Sequence, residues 1–206
     1  MTNSETQLSS EAYKKKMQRR KEVQEERLKA RSKEKGLIII NTGPGKGKTS
    51  AALGMVVRSL GHGFKVAIIQ FIKGGWEPAE RKVFEQWQEQ LVFHAMGEGF
   101  TWETQDRERD TEKAQEAWNK SLTYIHDPNY RLVLLDEINV ALKLGYLNVE
   151  TIIEGLEGKP EDSHVILTGR GVKDELIEAA DLVTEMNLIK HPFREQGIKA
   201  QPGIEF

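Results

Sequence analysis

Residues 37–49 restrict the fold more than any other part of the chain. An apolar, β-branched run, Leu37-Ile38-Ile39-Ile40, leads through Asn41 into Thr42-Gly43-Pro44-Gly45-Lys46-Gly47-Lys48-Thr49, and the residues from Ser50 onward read as a helix. A strand that turns into a helix through such glycines directs a row of backbone N–H groups inward at a helix N-terminus, which favours an anion there. Lys48 adds a full positive charge to that cradle, and the Thr49 hydroxyl is placed to bind a divalent ion. Gly43, Pro44, Gly45, Lys46, Gly47, Lys48, Thr49 and Ser50 are the candidate phosphate contacts. The loop is a variant of the usual pattern: Thr42 stands where a glycine is common, and Pro44 has no N–H to offer.

Beyond this loop, short β-branched runs alternate with polar, helix-like stretches. Strands are expected at 37–41, 66–71, 91–95, 132–136, 164–168 and 182–186, and helices at 48–60, 78–89, 111–124, 149–156 and 173–179. Such alternation predicts an α/β fold, a mostly parallel sheet with helices on both faces, and the phosphate loop at its first strand marks this as resembling the P-loop NTPase (RecA-like) type. Ligands of such sheets bind at the carboxyl ends of the strands. The apolar run 132–135 ends there in Asp136-Glu137. One carboxylate can hold Mg²⁺ directly or through water, and the second can ligate or act as a base. General P-loop logic selects Asp136 for the metal. Loop and acids together make a nucleoside triphosphate with Mg²⁺ the leading ligand. A further strand end carries Thr168-Gly169-Arg170-Gly171, where Arg170 either reaches phosphate or a substrate carboxylate, or is an exposed turn residue.

Composition narrows the setting. The 206 residues fit one domain, 36–206, preceded by a basic arm, 1–35. The arm holds eleven Lys/Arg against six Glu, a surplus of five positive charges, so the other 171 residues sum to −7. From residue 11 to 35 it lacks Pro and Gly and is rich in Lys, Glu, Gln and Arg, which predicts a helix. Its apolar residues Tyr13, Met17, Val23 and Leu28 are too sparse for a core-facing stripe, so it should dock on something rather than fold alone. An acidic body, and Glu22, Glu25, Glu26 and Glu34 within the arm, argue against nucleic acid as a partner. No apolar run approaches the roughly 20 residues of a spanning helix, and no apolar stretch follows the early positive charges as in a secretory leader. A cytoplasmic protein without a membrane partner is expected. With no Cys, the chain has no disulfides, thiolate metal sites or Cys nucleophiles. The five His residues include no pair three or four apart, so helical zinc-site spacing is missing.

The segment Gly97-Glu98-Gly99-Phe100-Thr101-Trp102 puts two large aromatics in an aperiodic stretch. Phe100 and Trp102 either flank a flat or hydrophobic ligand or pin their own loop to the body. Taken in order, Gly43–Thr49, Gly61-His62-Gly63, Gln70-Phe71-Ile72-Lys73-Gly74, Gly99-Phe100-Thr101-Trp102, Leu135-Asp136-Glu137, Thr168-Gly169-Arg170-Gly171 and Lys199-Ala200-Gln201 resemble the P-loop type of ATP:corrinoid adenosyltransferase. The likeness spans essentially residues 36–206, and the arm resembles that family's N-terminal helix.

The resemblance implies transfer rather than hydrolysis. Corrinoid Co(I) attacks the 5′ carbon of ATP and triphosphate leaves, with the γ-phosphate in the usual β position of the loop so that the ribose end faces the nucleophile. Lys48 and Mg²⁺, or Mn²⁺ in its place, would stabilise the leaving triphosphate. Thr49 and Glu137 are implied as metal ligands, with Asp136 behind them. Phe100 and Trp102 are implied beneath the corrin, keeping water and the lower ligand off cobalt. Pro44 replaces the Asn or Asp usual in the family. The family further implies a homodimer, a reduced flavin or flavodoxin as electron donor, and an arm that closes over the corrinoid. A conventional P-loop ATPase or small-molecule kinase is the alternative, in which Asp136 or Glu137 activates water or an acceptor hydroxyl.

Overall fold

The computed structural model describes residues 10–72, 79–97 and 106–205. The chain divides into two units, Met1–Glu34 and Lys35–Phe206. In the first, α1 (Ser10–Lys29) has no buried residue. Its order rests on local pairs such as the 3.0 Å bond from Gln18 Nε2 to Glu22 Oε1 and the ion pair of Lys21 with Glu25, each worth only tenths of a kcal/mol. The helix stops six residues before the expected end at 35. By Lys35 the chain already belongs to the second unit: Lys35 pairs with Asp181, and Gly36 donates its N–H to the Glu161 carbonyl at 2.5 Å. A Cβ at Gly36 would lie 2.0 Å from the Ser163 carbonyl oxygen, so only glycine fits this anchor.

The second unit holds, among the described residues, a six-stranded parallel sheet: β1 (Ile38–Thr42), β2 (Lys65–Gln70), β3 (Leu91–Ala95), β4 (Tyr130–Asp136), β5 (His164–Thr168) and β6 (Leu182–Glu185). Their spatial order is β3-β2-β4-β5-β1-β6. Strand residues alternate between two cores. On one face Ile39, Val66, Ile68, Leu132, Leu134 and Ile166 meet Ala52, Leu53, Val56 and Leu60 of α2 (Lys48–Gly61) and Phe84 of α3 (Ala79–Phe84). On the other, Ile40, Ala67, Ile69, Val133, Leu135, Val165 and Leu167 meet α4 (Arg107–Ile125), α5 (Ile138–Lys143), α6 (Val149–Glu157) and α7 (Asp174–Ala179). Burial on both faces explains why the strands read as unbroken apolar runs. Crossovers running one way along the sheet, β1 to β2 and β2 to β3, use the α2 face, and those running back use the other, as a constant crossover hand requires. The neighbours β1 and β5 send their crossovers to opposite faces, so a switch point opens between their carboxyl ends.

Expected and observed strands differ by at most two residues at an end. The helix expected at 78–89 instead becomes α3 followed by a 3₁₀ turn, Glu85–Trp87. Two short helices were not foreseen. α5 continues the apolar run of β4 after one left-handed residue, and α8 (Pro192–Gln196) starts with Pro in its first turn and is capped by His191, whose Nδ1 accepts from Phe193 N at 3.2 Å.

Candidate active site

Four apolar runs of the sheet end in a polar residue on the same side: Asn41 on β1, Gln70 on β2, Asp136 on β4 and Thr168 on β5. Gln70 pairs with Asp136 and Asn41 with Thr168 across the ladders, so the four form a polar row on an apolar sheet.

From β1 the loop turns through Gly43 (φ 97°) and Gly47 (φ 96°), a left-handed geometry that side chains resist. Gly45 donates its N–H to the Met186 carbonyl at 2.6 Å, and Met186 N donates to Thr42 O at 2.8 Å. Cβ atoms at Gly43 or Gly45 would come within 2.6 and 2.5 Å of that same Met186 oxygen. The loop therefore rests on the chain leaving β6, a second reason for its glycines. Gly47 precedes α2 without a side-chain cap, which leaves first-turn N–H groups for an anion. Lys48 is buried, and its ammonium donates to the carbonyls of Gly43 at 3.0 Å and Gly45 at 2.5 Å. Burial and then Arg170 push its pKa down, while Glu137 pulls it up. Pro44, Lys46 and Ser50 are exposed, and Lys46 is ion-paired with Glu205.

Asp136 is buried and accepts three bonds: Thr49 Oγ1 donates to its Oδ1 at 2.9 Å, Thr168 Oγ1 to the same oxygen at 2.7 Å, and Gln70 Nε2 to Oδ2 at 3.2 Å. Burial raises its pKa against these three bonds. Thr49 thus spends its one proton on Asp136 and keeps oxygen lone pairs for a cation. Glu137 follows with φ 61° and ψ 20°, the one positive φ outside glycine among the described residues. Its backbone N–H donates to Thr168 Oγ1 at 2.9 Å. Its carboxylate lies over Gly169, where an added Cβ would be 3.1 Å from Oε2. Burial and the neighbouring Asp136 raise its pKa to about 7, opposed by Lys48 and Arg170. Arg170 is exposed and follows Gly169 just beyond the carboxyl end of β5, and its charge lowers the pKa of both Lys48 and Glu137.

The structure thus brings together the phosphate loop, Asp136, Glu137 and Arg170. The general P-loop preference for Asp136 as direct metal partner meets a carboxylate whose two oxygens already accept three bonds, while Glu137 has none of these. One hydroxyl and one carboxylate suit Mg²⁺, which takes few protein oxygens and completes its shell with phosphate and water. Among the described residues no group of three His, Cys, Asp or Glu could hold a metal alone. Phe100 and Trp102 lie outside the described residues. In the sequence Thr168 and Gln70 stand out only as members of longer motifs. The usable signal was positional, since each is the first polar residue after an apolar strand.

The family described as "ATP:corrinoid adenosyltransferase BtuR/CobO/CobP" matches residues 34–206, and "Cob(I)alamin adenosyltransferase N terminal" matches residues 1–28. The chain belongs to the ATP:corrinoid adenosyltransferase family. Within this adenosyltransferase family it is 48% identical to a corrinoid adenosyltransferase of Pseudomonas aeruginosa, over 94% of this chain and 95% of that one. It is 51% identical to one from Sinorhizobium sp (93% and 90%) and 41% identical to one from Escherichia coli K12 (97% and 100%). Among solved structures, the flagellar accessory protein FlaH from Methanocaldococcus jannaschii matches with a TM-score of 0.50 at 12% identity, covering 73% of this adenosyltransferase and 70% of FlaH. That likeness concerns the fold alone. No helix among the described residues is long and apolar enough to cross a membrane.

Proposed function

We propose that the protein transfers the 5′-deoxyadenosyl group of ATP to the Co(I) centre of a corrinoid, releasing triphosphate, in adenosylcobalamin biosynthesis or salvage. The observation that carries this reading is the family match over residues 34–206, which spans the phosphate loop, Glu137 and Arg170. The substrate's Co(I) lone pair forms the cobalt–carbon bond as the C5′–O5′ bond breaks, and the electron pair leaves with triphosphate.

The loop from Gly43 to Ser50 binds the triphosphate through backbone N–H groups. Lys48, freed from the Gly43 and Gly45 carbonyls, turns to the phosphates, and its full charge opposes the charge that builds on the leaving group. Arg170 adds a second cation at the same end. Thr49 and Glu137 would hold Mg²⁺, or Mn²⁺ in its place, which would supply further neutralisation of the triphosphate. Asp136 orients Thr49 and stays out of the coordination shell. On the family resemblance, Phe100 and Trp102 pack against the corrin and exclude water, residues 1–35 close over it, the enzyme is a cytoplasmic homodimer, and a reduced flavin or flavodoxin supplies electrons.

The test is an anaerobic assay with ATP, Mg²⁺ and chemically reduced cobalamin. Loss of Co(I) absorbance with formation of a light-sensitive alkylcobalamin and intact triphosphate is expected. Persistent Co(I) with accumulating ADP and phosphate would return the protein to the conventional ATPases.

A further inference from the structure

Thr168 is buried at the end of β5, in register with Asn41 of β1, and its hydroxyl reaches both acidic residues at the end of β4. It donates to Asp136 Oδ1 at 2.7 Å and accepts the Glu137 N–H at 2.9 Å. A hydroxyl has one proton and a limited set of lone pairs, so these two bonds define its orientation. The same Asp136 oxygen receives Thr49 at 2.9 Å. Removing the Thr168 hydroxyl would take away one of the three bonds that hold Asp136 and would leave the Glu137 N–H without its acceptor, at the residue held in the left-handed region. Val at the same position has the same branched shape and no hydroxyl.

We infer that Thr168 is a positioning residue for the metal–nucleotide site: its hydroxyl sets the Thr49 hydroxyl, through Asp136, and the Glu137 carboxylate, through the backbone, in the arrangement that binds a divalent cation. Gln70 completes the brace by fixing Asp136 Oδ2. The inference rests on the proposed binding of ATP with a divalent ion, not on adenosyl transfer itself.

The experiment uses the full chain and Mn²⁺ as probe. Mn²⁺ binding to the protein with ATP is followed by the enhancement of water-proton relaxation over that of Mn²⁺–ATP without protein, and ATP binding in EDTA is measured by calorimetry. For Thr168→Val the Mn²⁺ midpoint should rise about tenfold, the scale on which outer-sphere partners tune metal sites, while ATP affinity in EDTA stays within about twofold. Thr168→Ser, which keeps the hydroxyl, should recover most of the Mn²⁺ affinity. Should Thr168→Val give little folded protein, Thr168→Ala measured on the folded gel-filtration fraction gives the same comparison. An unchanged Mn²⁺ midpoint, equal losses with and without metal, or a Ser variant as weak as Val would each overturn the inference. Failure of the wild-type chain to bind Mn²⁺ with ATP would sink the metal–nucleotide reading along with it. Product analysis showing ADP would remove adenosyl transfer and leave the Thr168 comparison intact.

Discussion

Replacing Glu137 by Gln should stabilise the empty protein, and by an amount that depends on pH. Burial and Asp136 raise the Glu137 pKa from the usual 4.5 to about 7. The folded state therefore holds a proton that the unfolded chain releases between these values, so stability falls as pH rises through that window and levels off above it. At about 1.4 kcal/mol per pKa unit, the ionised carboxylate costs about 3 kcal/mol at pH 8. Gln keeps the size and the left-handed backbone of residue 137 and carries no charge, so the difference between variant and wild type isolates this group. Urea unfolding without nucleotide should show Glu137→Gln more stable by about 3 kcal/mol at pH 8, or about 6 to 12 °C in Tm for a chain of this size, with the gap closing towards pH 4.5. Binding of Mg²⁺ with ATP should weaken in the same variant. Stability curves that stay parallel from pH 5 to pH 8 would refute the argument, because the carboxylate would then ionise equally easily in both states.

Three other outcomes follow from the packing and from the proposed chemistry. A Cβ at Gly155 would meet Trp118 Cζ2 at 2.4 Å and Leu122 Cδ2 at 2.8 Å beside one of the most buried side chains, so Gly155→Ala should lower unfolding free energy by about 2 kcal/mol, read by denaturant titration. Phe100→Ala and Trp102→Ala should retain adenosylation of chemically reduced cobalamin but lose it when a reduced flavin must supply the electron, and equal losses in both assays would contradict the proposed role. Deleting residues 1–30 should weaken corrinoid binding and slow turnover while ATP affinity in the absence of corrinoid is kept; unchanged corrinoid affinity and rate would discard the lid.

Much of this architecture is legible in the chain because both sheet faces are buried. Runs such as Ile38–Ile40 and Leu132–Leu135 announce central parallel strands, and Lys48 and Thr49 follow the first of them at the spacing a phosphate loop requires. α5 escapes notice because Ile138, Ala141 and Leu142 extend the apolar run of β4, and the break is a backbone torsion at Glu137 that composition does not encode. The choice between Asp136 and Glu137 depends on which carboxylate is consumed by hydrogen bonds. Those bonds come from Thr49, Thr168 and Gln70, between 32 and 87 residues away in sequence, so a local pattern cannot reveal them. The support of Gly43 and Gly45 by the Met186 carbonyl is hidden for the same reason.

Because β1 pairs with β5 on one side and β6 on the other, and its loop leans on Met186, the earliest strand to leave the ribosome is among the last to find its neighbours. A nascent chain carrying the whole phosphate loop has no floor beneath that loop until residue 186 has emerged. Nucleotide held by the native form of this loop would therefore stabilise a sheet that already includes β6. A chain cut short after β5 would keep every loop residue that the motif names and still lack the surface that shapes it.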